Sequence, residues 1–168
     1  NIKKTVFVEC LSSYRTDGPE HLKPIGETEF AAEIAEESEK GSENHARIAG
    51  IVSHANLTLG DVVEEILDAH EEAGLGLFKG IRHSGAWDEN RDALINPWRG
   101  EEKDFFFRED FRQGVRKLGR RGLIYESWLF HHQIKSYIKL AQAVPDTIVI
   151  LEHLGGPLGV GPYQGKQE

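Results

Sequence analysis

The sequence predicts an α/β fold in which parallel strands alternate with helices. Five short runs of apolar and β-branched residues recur along the chain, each bounded by turn residues. The four segments between these runs carry apolar residues at helical spacing. Because a chain that returns to one sheet through a helix lays its strands parallel, this alternation predicts a parallel sheet covered by helices.

Each predicted strand is a run of apolar residues that ends close to a polar side chain. The predicted strands span residues 5–10, 48–54, 77–83, 123–130 and 147–153. The predicted helices span residues 28–40, 60–74, 108–121 and 133–144. The second helix is the clearest, because five residues fall on one face and Gly74 ends it, namely Val62, Val63, Ile66, Leu67 and His70. Pro145 ends the last helix.

The composition is that of one globular domain spanning residues 1–168. Hydrophobic residues make up 39% of the chain and charged residues 29%, which favours a packed core over disorder. The net charge of −8 disfavours nucleic-acid binding, and no apolar run is long enough to cross a membrane. A single cysteine, Cys10, rules out an internal disulfide framework and is typical of a reducing, cytoplasmic location.

The two ends of the sequence predict an internal segment of a longer protein. The chain contains no methionine, and Asn1 stands almost directly before an apolar strand. The last residues follow a glycine-rich loop that is expected to lead into another element. We therefore expect further strands on both sides of this sequence.

The carboxyl ends of the predicted strands carry the candidate functional residues, because loops after parallel strands hold the active sites of α/β enzymes. In chain order these are Glu9, His54, Arg82 with His83, His131 with His132, and His153. Imidazoles that lie together at the carboxyl ends of parallel strands can bind a divalent metal or act as general bases. Taken singly, each of these histidines is also compatible with a loop residue that only makes hydrogen bonds.

Glu9 and the arginines near it form a second candidate group. A carboxylate at the end of an apolar strand is costly to bury, so Glu9 is predicted to be paired, metal-bound or catalytic. Arg15 and Arg82 are its candidate partners. Arg82 can either anchor a substrate carboxylate through its planar fork or form a structural salt bridge with Glu9.

The loop at residues 155–162 is rich in glycine but does not match a phosphate-binding motif. It lacks a Gly-Lys-Ser/Thr ending, and Pro157 and Pro162 remove backbone amides that would bind phosphate. A rigid active-site loop is the better interpretation.

Several segments together resemble the amidohydrolase-related family, in the branch that includes sugar lactonases and pyrone dicarboxylate lactonase. The resemblance covers nearly the whole chain and depends on the order and spacing of the motifs. These are Thr5-Val6-Phe7-Val8-Glu9-Cys10, Tyr14-Arg15, Gly18-Pro19-Glu20, Gly26-Glu27-Thr28-Glu29-Phe30, Gly80-Ile81-Arg82-His83 and Glu152-His153-Leu154-Gly155-Gly156-Pro157.

The resemblance implies a (β/α)8 barrel of which the five strands are the second to the sixth. The His-x-His pair that the family carries on its first strand and the aspartate on its last strand are not present in this sequence. By resemblance, His153 is the sixth-strand histidine that binds the metal or contacts the reacting carbonyl. His131 is the best match to the fifth-strand position, with Gln133 as the alternative.

The resemblance also implies a hydrolase that acts on a cyclic ester or related carbonyl compound, a small molecule bearing a carboxylate. Glu9, His131 and His153 are the predicted catalytic residues, and Arg15, Arg82 and His83 the predicted substrate-binding residues. Members of the branch differ in metal use. Two routes therefore stay open: catalysis with zinc or another divalent ion bound by His153, and metal-independent catalysis. The oligomeric state also stays open. The 168 residues alone are expected to be inactive.

Two other functions are consistent with the sequence. Related barrels remove carboxylates from carbon acids with a similar set of histidines, which makes a decarboxylase the first alternative. A non-catalytic, flavodoxin-like binding module complete at five strands is the second, and it predicts a stable soluble monomer.

Overall fold

The computed structural model describes residues 2–40, 46–90 and 102–166. The chain divides into two compact units, Asn1–Arg82 and His83–Glu168. None of the described helices is long and apolar enough to cross a membrane. The interpretation of the chain as one domain remains a prediction.

The first unit contains three strands and two helices that alternate as predicted. They are β1 (Lys4–Val8), α1 (Ile25–Lys40), β2 (Arg47–His54), α2 (Val62–Ala73) and β3 (Phe78–Arg82), with a 3-10 turn at Glu20–Leu22. β1 pairs with β2 and β2 with β3, both in parallel. The parallel arrangement predicted from the alternation is therefore confirmed in this unit.

The packing of α1 shows which way the residues of β2 face. Ala31 and Ala32 of α1 pack on Ile51 of β2, and Ser53 of β2 bonds to Thr28 of α1. Ile51 and Ser53 therefore face α1. Since neighbouring residues of a strand point to opposite faces, His54 lies on the face of the sheet away from α1. The strand register pairs His54 with Arg82, which places both residues on that face at the carboxyl ends of their strands.

A buried chain of hydrogen bonds ties α1, β2 and α2 together. The Ser53 and Thr28 hydroxyls are 2.6 Å apart, and the Thr28 hydroxyl is 2.8 Å from Nδ1 of His70. Nε2 of His70 lies 3.0 Å from the carbonyl oxygen of His54. A carbonyl only accepts, so Nε2 carries the hydrogen and Nδ1 accepts from Thr28. His70, predicted as a helix-face residue, is thus a fully buried, neutral imidazole at the centre of this unit.

The loop after β1 lies directly on the first turn of α1 at Gly26. A Cβ atom at Gly26 would stand 2.4 Å from the Ser13 carbonyl oxygen and 2.7 Å from the Arg15 amide nitrogen. Both of these neighbours are backbone atoms of the loop that carries the candidate residue Arg15. The close approach therefore needs a residue without a side chain.

We expect Gly26→Ala to destabilise the protein by about 1–3 kcal/mol, the usual cost of overpacking, although alanine is normally better than glycine inside a helix. Urea unfolding monitored by circular dichroism measures the change. Ser38→Ala in the same helix serves as the control and should shift stability by less than about 0.5 kcal/mol. A G26A protein as stable as the wild type would contradict the close approach.

The second unit contains α3 (Glu109–Arg120), β4 (Ile124–Ser127), α4 (Ile134–Ala143) and β5 (Val149–Leu151). β4 and β5 are parallel, with Tyr125 opposite Val149. Short 3-10 segments stand before α3 (Phe105–Phe107) and after both strands (His131–Gln133, Glu152–Gly155 and Gly161–Tyr163). The four helices begin and end within three residues of their predicted bounds, and the α/β class is confirmed.

An aromatic cluster forms the core of the second unit. Phe111 lies 4.3 Å from Phe105 and 5.5 Å from Tyr125, measured between ring centroids. Phe106 packs edge-on against Tyr137 of α4 at 5.1 Å. This cluster fills the space between α3, α4 and β4, and thereby fixes the strand ends that carry the candidate residues.

Candidate functional site

Glu9 forms a buried ion pair with Arg82 in the first unit. The side chain of Glu9 is 2% exposed and that of Arg82 is 11% exposed. Nε of Arg82 donates to Oε1 of Glu9 at 2.8 Å, and Nη2 donates to the backbone carbonyl oxygen of Glu9. Of the two predicted partners, the structure therefore brings Arg82 to Glu9, and the pair fixes the direction of the guanidinium.

His54 is attached to the same strand end through its ring. Its Nδ1 donates to the backbone carbonyl oxygen of Arg82 at 3.1 Å, since a carbonyl can only accept. In the neutral ring Nε2 then carries the lone pair. Glu9, His54 and Arg82 thus form one polar group at the carboxyl ends of β1, β2 and β3.

Arg15 lies apart from that pair. It forms a bidentate ion pair with Glu29 of α1, and both side chains are more than a third exposed. The hydrogen bond between them raises the pKa of Arg15 and lowers the pKa of Glu29. The substrate-binding role predicted for Arg15 stays a prediction.

The loop after β1 is organised by Glu27, which the sequence shows only as part of the motif Gly26-Glu27-Thr28-Glu29-Phe30 and not as a candidate site residue. The buried Oε1 of Glu27 accepts from the backbone amides of Cys10 and Ser12, both at 2.9 Å, and from the Ser12 hydroxyl at 3.1 Å. Leu11 and Ser13 in this loop have positive φ angles of 65° and 52°. Glu27 therefore holds a loop whose backbone conformation non-glycine residues rarely adopt.

His153 follows β5 in the second unit with an unusual backbone. His153 and Leu154 have left-handed conformations, with φ of 46° and 54°, and Gly155 and Gly156 continue the left-handed turn. Non-glycine residues pay about 1–2 kcal/mol each for this conformation, and such residues cluster at functional sites. The turn leaves the side chain of His153 55% exposed, with its ring 4.5 Å from the ring of Trp128.

His83 and Gln133 are held inside the second unit. His83 is buried, and its ring packs edge-on against Phe105 at 5.2 Å and Phe111 at 5.6 Å between ring centroids. Oε1 of Gln133 accepts from the amides of Trp87 and Phe130, and its Nε2 donates to the Gly85 carbonyl at 2.8 Å. Gln133, the alternative match for the fifth strand, therefore joins two loops through hydrogen bonds to their backbones.

His131 and His132 belong to a polar cluster that includes two residues the sequence analysis missed, Asp88 and Tyr163. Oδ2 of Asp88 accepts from Nε2 of His132 at 2.7 Å and from the Tyr163 hydroxyl at 2.8 Å. Nδ1 of His131 accepts from the Leu158 amide at 3.4 Å. Asp88 and Tyr163 are 75 positions apart, so no local pattern could have indicated this contact.

The described residues do not form a complete metal site. In the ranges 2–40, 46–90 and 102–166, no three His, Cys, Asp or Glu side chains are grouped so that they could hold a metal ion. Among the described side chains, the acidic group that contacts His153, the predicted ligand, is Glu152, with Oε1 3.8 Å from Nε2. Its donor set is too small for tetrahedral zinc, which takes three or four protein ligands.

Comparison with known proteins identifies the family. The family model for amidohydrolases matches residues 28–167. The chain is 30% identical over 139 residues to the uncharacterized protein y4mH of Sinorhizobium fredii (strain NBRC 101917 / NGR234), covering 82% of this chain and 42% of that protein. The chain thus spans less than half the length of this relative.

Two solved structures of an amidohydrolase from Burkholderia multivorans share the fold. One, with bound HEPES, has a TM-score of 0.52 at 23% identity, and the other, with bound zinc, has a TM-score of 0.54 at 22% identity. Each comparison covers 77% of this chain, and 37% and 38% of the solved chains. Their likeness confirms the predicted partial (β/α)8 barrel. With the family model matching most of its length, this chain belongs to the amidohydrolase family.

Proposed function

We propose that the protein containing this chain is a hydrolase that opens a cyclic ester, or a related carbonyl compound, bearing a carboxylate. Hydrolase chemistry follows from the amidohydrolase family, and the lactone is the substrate class proposed here. The observation that supports a catalytic site at this position is the left-handed turn at His153. That turn holds an exposed imidazole at the carboxyl end of β5, where the enzymes of this fold keep their catalytic groups.

His153 is the proposed polariser of the reacting carbonyl. A donor held on a fixed backbone can stabilise the negative charge that develops on the carbonyl oxygen when water attacks. Trp128 supports the imidazole from one side through the ring contact at 4.5 Å. Water activated by a carboxylate supplies the nucleophile, and Arg82, oriented by Glu9, is the proposed anchor for the substrate carboxylate.

A divalent metal such as zinc, which one Burkholderia amidohydrolase structure contains, is a proposed cofactor. His153 is one candidate ligand among the described residues, and these residues do not complete a site. Loss of hydrolysis after dialysis against a chelator, with recovery on adding zinc, would support a metal. Unchanged hydrolysis would support the metal-independent route.

The test of this function is His153→Gly, compared with Leu154→Gly, in the purified protein. Glycine tolerates the left-handed backbone at both positions, so the pair separates loss of the imidazole from a change in the turn. We expect the H153G protein to lose about 100- to 1,000-fold in kcat/KM for lactone hydrolysis, the usual effect of removing one carbonyl-stabilising donor. The L154G protein should stay close to wild type.

Acid release from lactones with and without a carboxylate, followed in a pH-stat, identifies the reaction. Release of carbon dioxide instead would support the decarboxylase alternative. An H153G protein that folds and hydrolyses lactones as fast as the L154G protein would rule out the proposed role of His153.

A further inference from the structure

A buried carboxylate connects three loops in the second unit. Asp88 stands in the segment after β3, His132 after β4 and Tyr163 after β5. The Asp88 side chain is 3% exposed. Besides the contacts of Oδ2 with His132 and Tyr163, its Oδ1 accepts from the Asn90 amide at 2.7 Å. All three loops follow strands at their carboxyl ends, where this fold places its active sites.

Asp88 is an anion at neutral pH. Burial by itself would raise the pKa of Asp88, but the hydrogen bonds from Tyr163, the Asn90 amide and His132 outweigh it, so the pKa lies below the ordinary value. A carboxylate has no proton to donate, so Nε2 of His132 must be the donor in their 2.7 Å contact. Asp88 therefore fixes both the tautomer and the direction of the His132 ring.

The other ring nitrogen of His132, Nδ1, is the one that can exchange a proton. Within the described part of the chain it has no hydrogen-bond partner, and the side chain is 29% exposed. The neighbouring rings hold the imidazole in place. The ring of His131 stands edge-on to it, with the ring centroids 5.3 Å apart, and the ring of Tyr163 lies nearly parallel, with the centroids 6.2 Å apart. An imidazole with one nitrogen on a buried carboxylate and the other accessible is the arrangement of a general acid or base.

We propose that His132, positioned by Asp88, donates the proton to the alcohol oxygen that leaves during ester or lactone hydrolysis. This role rests on the proposed function. Water adds to the carbonyl carbon and loses a proton to the carboxylate that activates it, giving a tetrahedral intermediate. The bond from that carbon to the ring oxygen then breaks and its electron pair goes to the oxygen. The Nδ1 proton of the His132 imidazolium transfers to that oxygen, and His132 regains a proton from solvent.

A purely structural role for this cluster predicts a different pattern of rates. If the Asp88–His132 contact only held the loops together, its loss would slow all substrates by a similar factor. A proton donor, in contrast, matters for an alkoxide leaving group and little for a phenoxide, which is stable without the proton. The dependence on the leaving group therefore separates the two roles.

The experiment compares His132→Gln with wild type on an alkyl lactone and on an aryl lactone whose leaving group is a phenol. We expect the H132Q protein to lose about 100- to 10,000-fold in kcat on the alkyl lactone, the usual contribution of a general acid, and less than about tenfold on the aryl lactone. Asp88→Asn should show the same selectivity with a smaller loss. His21→Gln is the matched control, because His21 is a partly exposed histidine that pairs with Glu65 in the first unit.

A second measurement covers the case in which H132Q folds poorly or the aryl lactone is not hydrolysed. In the His132→Ala protein, added imidazole should restore part of the alkyl-lactone activity, which a structural contact would not allow. Equal losses on both lactones, or no rescue, would overturn the inference and leave the proposed function standing. A wild-type protein that hydrolyses no ester or lactone would overturn the proposed function, and the role of His132 with it.

Discussion

Replacing Arg82 with methionine is expected to destabilise the protein by about 3–5 kcal/mol, the cost of removing one partner of a buried ion pair. Glu9 is 2% exposed, and in the R82M protein its carboxylate loses the guanidinium that donates to it at 2.8 Å. Methionine keeps much of the length and volume of the side chain. The loss therefore reports on charge and hydrogen bonding more than on packing.

Arg15→Met is the matched control for this measurement. Arg15 also forms an ion pair with a glutamate, but both partners are more than a third exposed, and exposed pairs contribute less than about 1 kcal/mol. Urea unfolding of both variants gives the comparison, and the double variant Glu9→Gln/Arg82→Met should recover part of the loss. An R82M protein no less stable than the R15M protein would show that the buried pair carries little free energy.

The alternation of strands and helices was predictable because it depends on local patterns. The helix predicted at residues 60–74 is α2 (Val62–Ala73), and four of the five residues predicted on its apolar face are buried. The prediction was wrong for Val62, which is 38% exposed because it stands in the first turn of the helix. β4 was predicted to reach residue 130 and ends at Ser127. Beyond the strand, the backbone amide of Phe130 donates to the side chain of Gln133, which also bonds to the backbone of Gly85 and Trp87. Such contacts leave no trace in a local pattern.

The positions of the strand-end residues were likewise predictable from the sequence. The residues that they contact were predictable only in part. Glu9 at the end of an apolar strand indicated a charge partner, and Arg82 is that partner across 73 positions. No local pattern distinguished Asp88 from the other acidic residues of its loop. Its importance comes from burial and from two distant donors, His132 and Tyr163, which only the folded chain brings together.

His70 should make the stability of the protein depend on pH between about 6.5 and 4. Burial lowers the pKa of His70 from its ordinary 6.5 to about 4, because charging the ring would cost solvation. The unfolded chain therefore takes up a proton on this ring below pH 6.5, while the folded chain does so only near pH 4. Since the unfolded state binds more protons in this window, the free energy of unfolding falls as the pH is lowered through it.

The expected loss due to His70 between pH 7 and pH 4 is about 3 kcal/mol, because the pKa of the ring is 6.5 in the unfolded chain and about 4 in the folded one. His70→Gln removes the titration while its amide can still donate to the His54 carbonyl, the contact that Nε2 of His70 makes at 3.0 Å. Although the H70Q protein is expected to be less stable at pH 7, its unfolding free energy should fall less steeply between pH 6.5 and 4.

Carboxylates such as Asp88 titrate in both proteins, so the difference between the two pH profiles isolates the contribution of the His70 imidazole. His21→Gln, a change at a partly exposed histidine, is the control variant. A wild-type slope in the H70Q protein would contradict a neutral, buried His70.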